Sequence, residues 1–595
     1  MQLATLDWAI IVGFFIFWLI LGSLVGRRAG ESAEQFFLAG RSMPWWLLGF
    51  SLVATTFAAD TPLFVAGLVR EAGVAANWEW WALLLSGMFT VFVFAKLWRR
   101  SGVVTDLEFY ELRYSGRPAA FLRGFRALYL GVLLNIIIMA IVTLAAIKIS
   151  SVMLGLGAMT TVVVACAITA VFSMMGGLTS VIWVDAFMFV VAMIGSISAA
   201  VVSLNHPSVG GLSGLLAHSN VQTHLALLPR FDFHDPENRT AMMNVFLIPL
   251  LVQWWGAWYP GSEPGGGGYV AQRMLAAKNE RHATGAVLFF NAAHYALRPW
   301  PWIIVGLASL VVFPDINTLE REFPHVPAHF VKEDLAYPAM LTLLPVGLKG
   351  LVMASLIAAY MSTIATHLNW GSSYFVNDFW RRFLRPQATE KEAVAVGRIA
   401  TVFLILAMAI IAPMTQSAMK GFDLLIQIGA GTGLLSMLRW FWWRINPQAE
   451  ITGMCVSLLT ACVFALFGPA DTPHWIKVVT GVGLTTVGWV MAMYLTHPDD
   501  DRTLREFCRK VNPGGLGWRR VLQRAAAEGD PIEASTTHVP LALTCIVAGC
   551  LSIYGALFAT GFFLYGDNTK GTVLTVGTVI ASIFLWRSWM RISAD

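Results

Sequence analysis

The chain has 595 residues, of which 57% are hydrophobic and 13% are Asp, Glu, Lys or Arg. That charged share is about half of what a water-soluble globule carries, and a spanning helix takes roughly 20 apolar residues, so a large polytopic membrane protein is the class that fits. The net charge of +5 would suggest nucleic acid as partner of a soluble protein. Here its distribution along the chain matters more than its sum.

In chain order, apolar runs bounded by charge, Pro or Gly fall near 6–27, 44–69, 78–97, 127–150, 158–176, 179–203, 241–259, 284–313, 345–372, 397–416, 422–444, 448–468, 475–496, 540–565 and 570–589, about fifteen predicted spans. The first, in MQLATLDWAIIVGFFIFWLILGSLVG, lacks a basic n-region and a small-residue cleavage site, and is read as a retained span. With the N-terminus outside, the intracellular connections collect Arg27, Arg28, Arg41, Arg99, Arg100, Arg113, Arg117, Arg123, Arg126, Arg273, Lys278, Arg281, Arg381, Arg382, Arg385 and the basic residues of 502–524. The other side has a scatter such as Arg70, Arg230, Arg239 and Lys332. The positive-inside rule therefore predicts a multi-pass protein of the cell (inner) membrane, N-terminus outside and C-terminus inside. The outside loop 204–240 and the inside loop 497–539 are too short and polar to form enzyme domains. The sequon Asn238-Arg239-Thr240 is read as a chance match. The six cysteines have neither metal-ligand spacing nor a disulfide framework, and are read as packing residues.

Polar residues inside spans are the functional candidates, because hydrocarbon offers them no partner. The second span, WWLLGFSLVATTFAADTPLFVAGLV, holds Thr55, Thr56, Asp60, Thr61 and Pro62. Proline removes a backbone donor and clashes with the preceding turn, which predicts either a broken helix or a kinked packing helix. The ninth span carries Ala359, Ser362 and Thr363 at i, i+3 and i+4, so one face offers a carbonyl and two hydroxyls, oxygen ligands for a hard cation such as sodium. Ser and Thr bonded to their own backbone or to a neighbouring helix are the alternative. Asp185 follows the GGLTSVIWV stretch of the sixth span, as an ion-path carboxylate or a wetted one at the mouth. The run Pro264–Gly268 lacks a following Gly-Lys-Ser/Thr and is read as a flexible gate or an unwound helix end rather than a phosphate cradle.

The stretches FFLAGRSMPWW at 36–46, EFYELRYS at 108–115, MGGLTSVIWVD at 175–185, AQRMLAAKNE at 271–280 and AAYMSTIATHLNWGSSYFVND at 358–378 together resemble the solute:sodium symporter family of sugar, proline and sialic acid carriers. The resemblance implies an all-α, inverted-repeat core of five plus five helices (LeuT-like), with one span before it and about four after. Its segments would be 1–43, the repeat 44–203, the outside loop 204–240, the repeat 241–444, and 445–595 with the inner loop 497–539. It also implies a sodium site made by the carbonyls of Ala54, Phe57 and Ala359 and the hydroxyls of Ser362 and Thr363, with Asp185 serving ion coupling through a second sodium or a proton. Two departures stand out: Met188 occupies a position that is usually Gln, and the segment after the seventh span is longer than in the sugar carriers.

By the same resemblance, solute lies between the second, third, seventh and eleventh spans. Their polar and aromatic content includes Thr55, Thr56, Asp60 and Thr61; Asn77, Trp78, Glu79, Trp80 and Trp81; Gln253, Trp254, Trp255, Trp258 and Tyr259; and Gln427 with Thr432. Aromatic faces beside amides and carboxylates suit a sugar or polyol. They would also hold a quaternary ammonium by cation–π attraction, and many of the tryptophans belong to an interfacial belt. The expected function is a sodium-coupled symporter, not an enzyme, importing a small polar solute across the bilayer by alternating access. Amino acids, organic acids and quaternary amines are alternative cargoes, and a transporter-like membrane sensor is the alternative class.

Overall fold

The computed structural model describes residues 3–25, 35, 38–175, 178–256, 263–415, 418–469, 472–533 and 539–592. In chain order the main helices are α1 (Thr5–Val25), α2 (Trp45–Thr56), α3 (Asp60–Ala72), α4 (Val74–Ser101), α5 (Glu108–Arg113), α6 (Gly116–Leu154), α7 (Ala158–Met175) and α8 (Leu178–Leu204). There follow α9 (236–251), α10 (Gly268–Ala276), α11 (Glu280–Val312), α12 (Leu348–Leu384), α13 (Glu390–Met414), α14 (Ala418–Leu438), α15 (Pro447–Phe467) and α16 (His474–Leu495). Two short helices, α17 (Asp501–Val511) and α18 (Arg519–Ala527), precede α19 (Val539–Leu564) and α20 (Asn568–Ile592).

Helical segments stand at every predicted span, but not all of them cross unaided. Among the described residues eleven helices are long and apolar enough, and the bent pair α2–α3 makes a twelfth. The predicted fifth and eleventh spans hold shorter apolar stretches, Ala158–Ala170 and Leu425–Leu438. The predicted seventh is in pieces, because α9 gives way at Val252 to a 3-10 turn at Gln253–Trp255.

The second span breaks at 57–59, where α2 and α3 meet at 58°. Pro62 sits in the first turn of α3, where its missing N–H is not needed, and the residue four before it lies in the break. Among the described residues five π-helical stretches, at Thr90–Phe94, Tyr129–Leu134, Met243–Leu247, Ala293–Leu297 and Tyr374–Leu384, shift the faces of α4, α6, α9, α11 and α12. Such bulges collect at working sites because they re-aim side chains within one helix.

Burial separates core from periphery: the most apolar window of α12 is 89% buried inside the protein, that of α20 only 11%. Around α12 pack α1, α2, α8 and α6, while α11 packs along α2 and α3. The peripheral helices α19 and α20 pack mainly on each other.

Buried polar contacts lock both ends of the bundle. At one end Arg113, 0% exposed, donates to the carbonyls of Arg439, Trp442 and Ile445. Arg123 bonds Asp378 at 2.7 Å and Glu111 at 2.7 Å, and Tyr114 donates to Glu450. Several arginines counted as loop charges in the sequence are therefore interior struts, Arg113, Arg126 and Arg273 among them. At the opposite end Arg70 bonds Glu333 at 2.6 Å, and Lys148 bonds both carboxylate oxygens of Asp334 at 2.7 Å. Asp7 of α1 accepts from the amides of Gly347 and Gly350 at the start of α12. A Cβ on Gly350 would stand 2.5 Å from the Asp7 Cα, so this close approach requires glycine.

Candidate functional site

The break in the second span frees backbone oxygens. Phe57, at φ −91° and ψ 63°, has left the helix, and its N–H reaches Val53 O at 2.9 Å and Ala54 O at 3.1 Å. The Thr61 hydroxyl crosses the break to Thr56 O at 3.2 Å. Facing it, α12 brings Ala359, Ser362 and Thr363, all buried, to the same depth: Thr363 Oγ1 donates to Thr55 O at 3.0 Å. Carbonyls at a helix break beside uncharged hydroxyls form the donor set that holds a monovalent hard cation, and broken membrane helices supply it.

Asp185 lies next to this set, fully buried rather than at a wetted mouth. Its Oδ2 accepts from Ser51 of α2 at 2.6 Å and its Oδ1 from Ser362 of α12 at 2.5 Å. The Arg273 guanidinium of α10 stands 3.8 Å away as counter-charge, and is itself held by Gln272 and Thr366. One carboxylate thus ties α2, α8, α10 and α12 together. A buried carboxylate is kept only with such partners, and breaking one side of the pair is costly. Neither Ser51 nor Arg273 was singled out in the sequence. The signal was there, since Arg273 follows Gln272 at the end of the glycine-rich segment, but nothing local tells a buried arginine from a loop one.

The solute candidates divide. The Thr55 hydroxyl bonds back to Ser51 O at 2.8 Å, which leaves its carbonyl to Thr363. Thr56, Asp60 and Thr61 line the break. Thr56 Oγ1 bonds back to Val53 O and meets two groups that sequence reasoning missed, Arg298 Nη1 at 3.2 Å and His294 Nδ1 at 3.2 Å, both from α11. Trp80 stacks on Tyr295 at 5.7 Å and meets the His294 ring edge to face. Glu79 is half-buried beside it, and Gln253 Nε2 donates to the Glu79 carbonyl at 3.1 Å. Trp80, His294, Arg298 and Thr56 are thereby linked by contacts, and Gln253 is tied to Glu79 beside Trp80.

Trp254 stacks on Phe89, and the Trp255 carbonyl lodges against Gly433 of α14. Gln427 is half-buried on α14 and makes no hydrogen bond among the described residues. Trp258 and Tyr259 lie outside the described residues. His367 is fully buried and its Nδ1 lies 2.6 Å from Asn135 Oδ1. Among the described residues no cluster of His, Cys, Asp and Glu could hold a transition metal.

The glycine-rich segment packs at the basic end of the bundle. Gly265 and Gly266 have φ of +86° and +82°, and the Gly265 carbonyl accepts from Trp98 Nε1. Glu263 pairs with Arg126 of α6, and Gly268 N donates to Asp106 at 2.9 Å. Of the gate and the unwound end expected there, the arrangement has the geometry of a tethered turn with a carboxylate at its tip.

A family model described as "Sodium:solute symporter family" matches residues 36–457. The human "Sodium/myo-inositol cotransporter 2" is 30% identical over 496 residues, covering 77% of this chain and 69% of its own. The "Sodium/glucose cotransporter" of Vibrio parahaemolyticus is 27% identical over 493 residues, covering 79% and 86%. Among solved structures, a Na+-coupled sialic acid symporter in its substrate-bound outward-open state aligns with a TM-score of 0.65 at 20% identity, over 84% of this chain and 99% of that one. At that identity the likeness establishes the fold, a helical transporter fold.

Proposed function

The chain belongs to the sodium:solute symporter family and is a sodium-coupled carrier of small solutes in a membrane, not an enzyme; on that premise we propose that it imports a sugar or polyol by alternating access. The observation that carries the sodium half is the contact of the Thr363 hydroxyl with the Thr55 carbonyl at the helix break. Held together at this depth, α2 and α12 would offer one ion the oxygens of Ala54, Phe57, Ala359, Ser362 and Thr363. Sodium there would pull α12 onto α2 and so complete the neighbouring lining formed by Thr56, Asp60, Thr61, Glu79 and Gln253. Asp185 would sense the ion through Ser362, which it shares with the site, and relay its loss to Arg273 and α10.

Supporting the solute class are the aromatic stack of Trp80 on Tyr295 beside polar groups, and relatives named for glucose and myo-inositol. The repeats would run over 44–203 and 241–444, with the broken second span answered by the broken seventh. The end that holds Arg99, Arg113, Arg123 and Arg382 would face the cytoplasm, which puts the N-terminus outside and the C-terminus inside.

Proteoliposomes given an inward sodium gradient and a panel of labelled sugars, polyols, amino acids, organic acids and choline test this reading. Sodium-dependent accumulation of a sugar or polyol is expected. Accumulation of an amino acid or choline alone would overturn the solute class, and tight binding without accumulation under any gradient would point to a sensor.

A further inference from the structure

Arg298 is 1% exposed in the middle of α11 and touches no carboxylate among the described residues. A charge at that depth is expensive and marks a pathway or a site. Its Nη1 donates to Thr56 Oγ1 at 3.2 Å, its Nη2 lies 2.6 Å from His294 Nδ1, and the guanidinium lies 5.4 Å from the Trp302 ring centroid. Nε, alone of the three guanidinium nitrogens, is buried with no partner among the described residues. Asp60, at the first turn of α3, is in a matching condition: its Oδ1 is buried and unpartnered. Arg298 is close enough to act on Asp60 electrostatically, yet no ion-pair contact joins them. One free donor and one free acceptor of opposite charge therefore flank the helix break.

We propose that Arg298 and Asp60 are the two poles of the solute site and take ligand hydroxyl between them, which restricts the carrier to neutral, hydroxyl-rich solutes. This assignment rests on the sugar or polyol reading above. A hydroxyl accepts from Nε and donates to Oδ1, so it satisfies both orphaned atoms without adding charge. A carboxylate fits poorly: guanidinium grips it with two parallel N–H groups, and the contacts of Thr56 and His294 at the two Nη atoms compete with that grip. It would also set a second negative charge beside Asp60. A quaternary ammonium offers Asp60 no donor and brings a cation next to Arg298. An amino acid meets the carboxylate's difficulty at one of its ends.

The test is sodium-driven uptake into proteoliposomes of D-glucose and myo-inositol, their monodeoxy analogues, glucuronate, alanine and choline. The wild type is compared with Arg298→Met/Asp60→Asn, which removes both charges together and strands neither, and with Arg298→Lys. In the wild type one deoxy analogue should have a half-saturation about 10-fold or more above its parent, because it leaves buried polar groups unpaired. In the double variant that penalty should fall to within about twofold, while sodium half-saturation stays within about twofold of wild type. Arg298→Lys should weaken the parent sugar and keep sodium dependence; with Asp60→Asn it supplies the same comparison if the double variant does not fold. Deoxy penalties that persist unchanged in the variants, with the wild type accumulating the parent sugar, would overturn this assignment alone. A wild type that accumulates glucuronate, alanine or choline in place of sugars would overturn it together with the sugar reading.

Discussion

Replacing Thr363 by Ala removes one of the five oxygens of the proposed sodium site and leaves the other four residues unchanged. Its Oγ1 donates to Thr55 O at 3.0 Å, which fixes the hydroxyl at the helix break, where its lone pairs would face an ion. A contact of this strength to a charged group is worth about 1.5–3 kcal/mol. At about 1.4 kcal/mol per decade, the half-saturating sodium concentration should rise roughly ten- to hundredfold. Ser362→Ala should shift it further, because it also strips Asp185 Oδ1 of its 2.5 Å donor and leaves that carboxylate to Ser51 and Arg273. Thr363→Ser keeps the oxygen and should restore most of the affinity. The assay is initial uptake against sodium concentration in proteoliposomes at saturating solute, with solute half-saturation at saturating sodium as the reference. Wild-type sodium dependence in the Ser362→Ala/Thr363→Ala double variant would refute the site.

Asp185→Asn should leave equilibrium solute binding at saturating sodium mostly intact while abolishing accumulation; loss of binding by a folded protein would move Asp185 into the solute site. Lys148→Met should destabilise the protein by about 3–5 kcal/mol by stranding Asp334, and Lys148→Met/Asp334→Leu should recover most of it; thermal unfolding in detergent reads both, and no recovery would mean that the pair serves more than stability. Gly433→Ala would put a Cβ 1.6 Å from the Trp255 carbonyl, so α14 and the Gln253–Trp255 turn must part and uptake should fall by at least about tenfold; unchanged uptake would exclude that turn from the pathway. With one coupled sodium, about 2.3 kcal/mol from 100 mV and about 1.4 kcal/mol from a tenfold gradient should concentrate a neutral solute several-hundredfold, and a second sodium would square that limit. Measured accumulation ratios decide between them.

Much of this was legible in the chain because the bilayer enforces simple rules. Apolar length marked the spans, and Pro62 foretold a break that falls within five residues before it. The shared face of Ser362 and Thr363 was readable because hydroxyl spacing on a helix is local information, and both bond neighbouring helices, the alternative kept for them. What stayed hidden were partnerships across the fold. Arg273 looked like any basic residue after a span, and only tertiary packing buries it beside Asp185. Arg298 and His294 lie four residues apart in a run flanked by apolar residues, yet their significance depends on Thr56, more than two hundred residues away in sequence. Burial and pairing of charge are properties of several helices at once, and no single window contains them.

The loop residues Glu333 and Asp334 have a consequence for how tightly gradient and cargo are geared together. They are neighbours in the chain, yet one holds Arg70 at the end of α3 and the other Lys148 on α6. Any parting of α3 from α6 at that end must release one of these pairs, and the peptide bond between their anchors passes the strain to the other. If this end parts during transport, the two pairs are expected to break together rather than one by one. A carrier whose doors part in one such step would lose little of its sodium gradient to slippage.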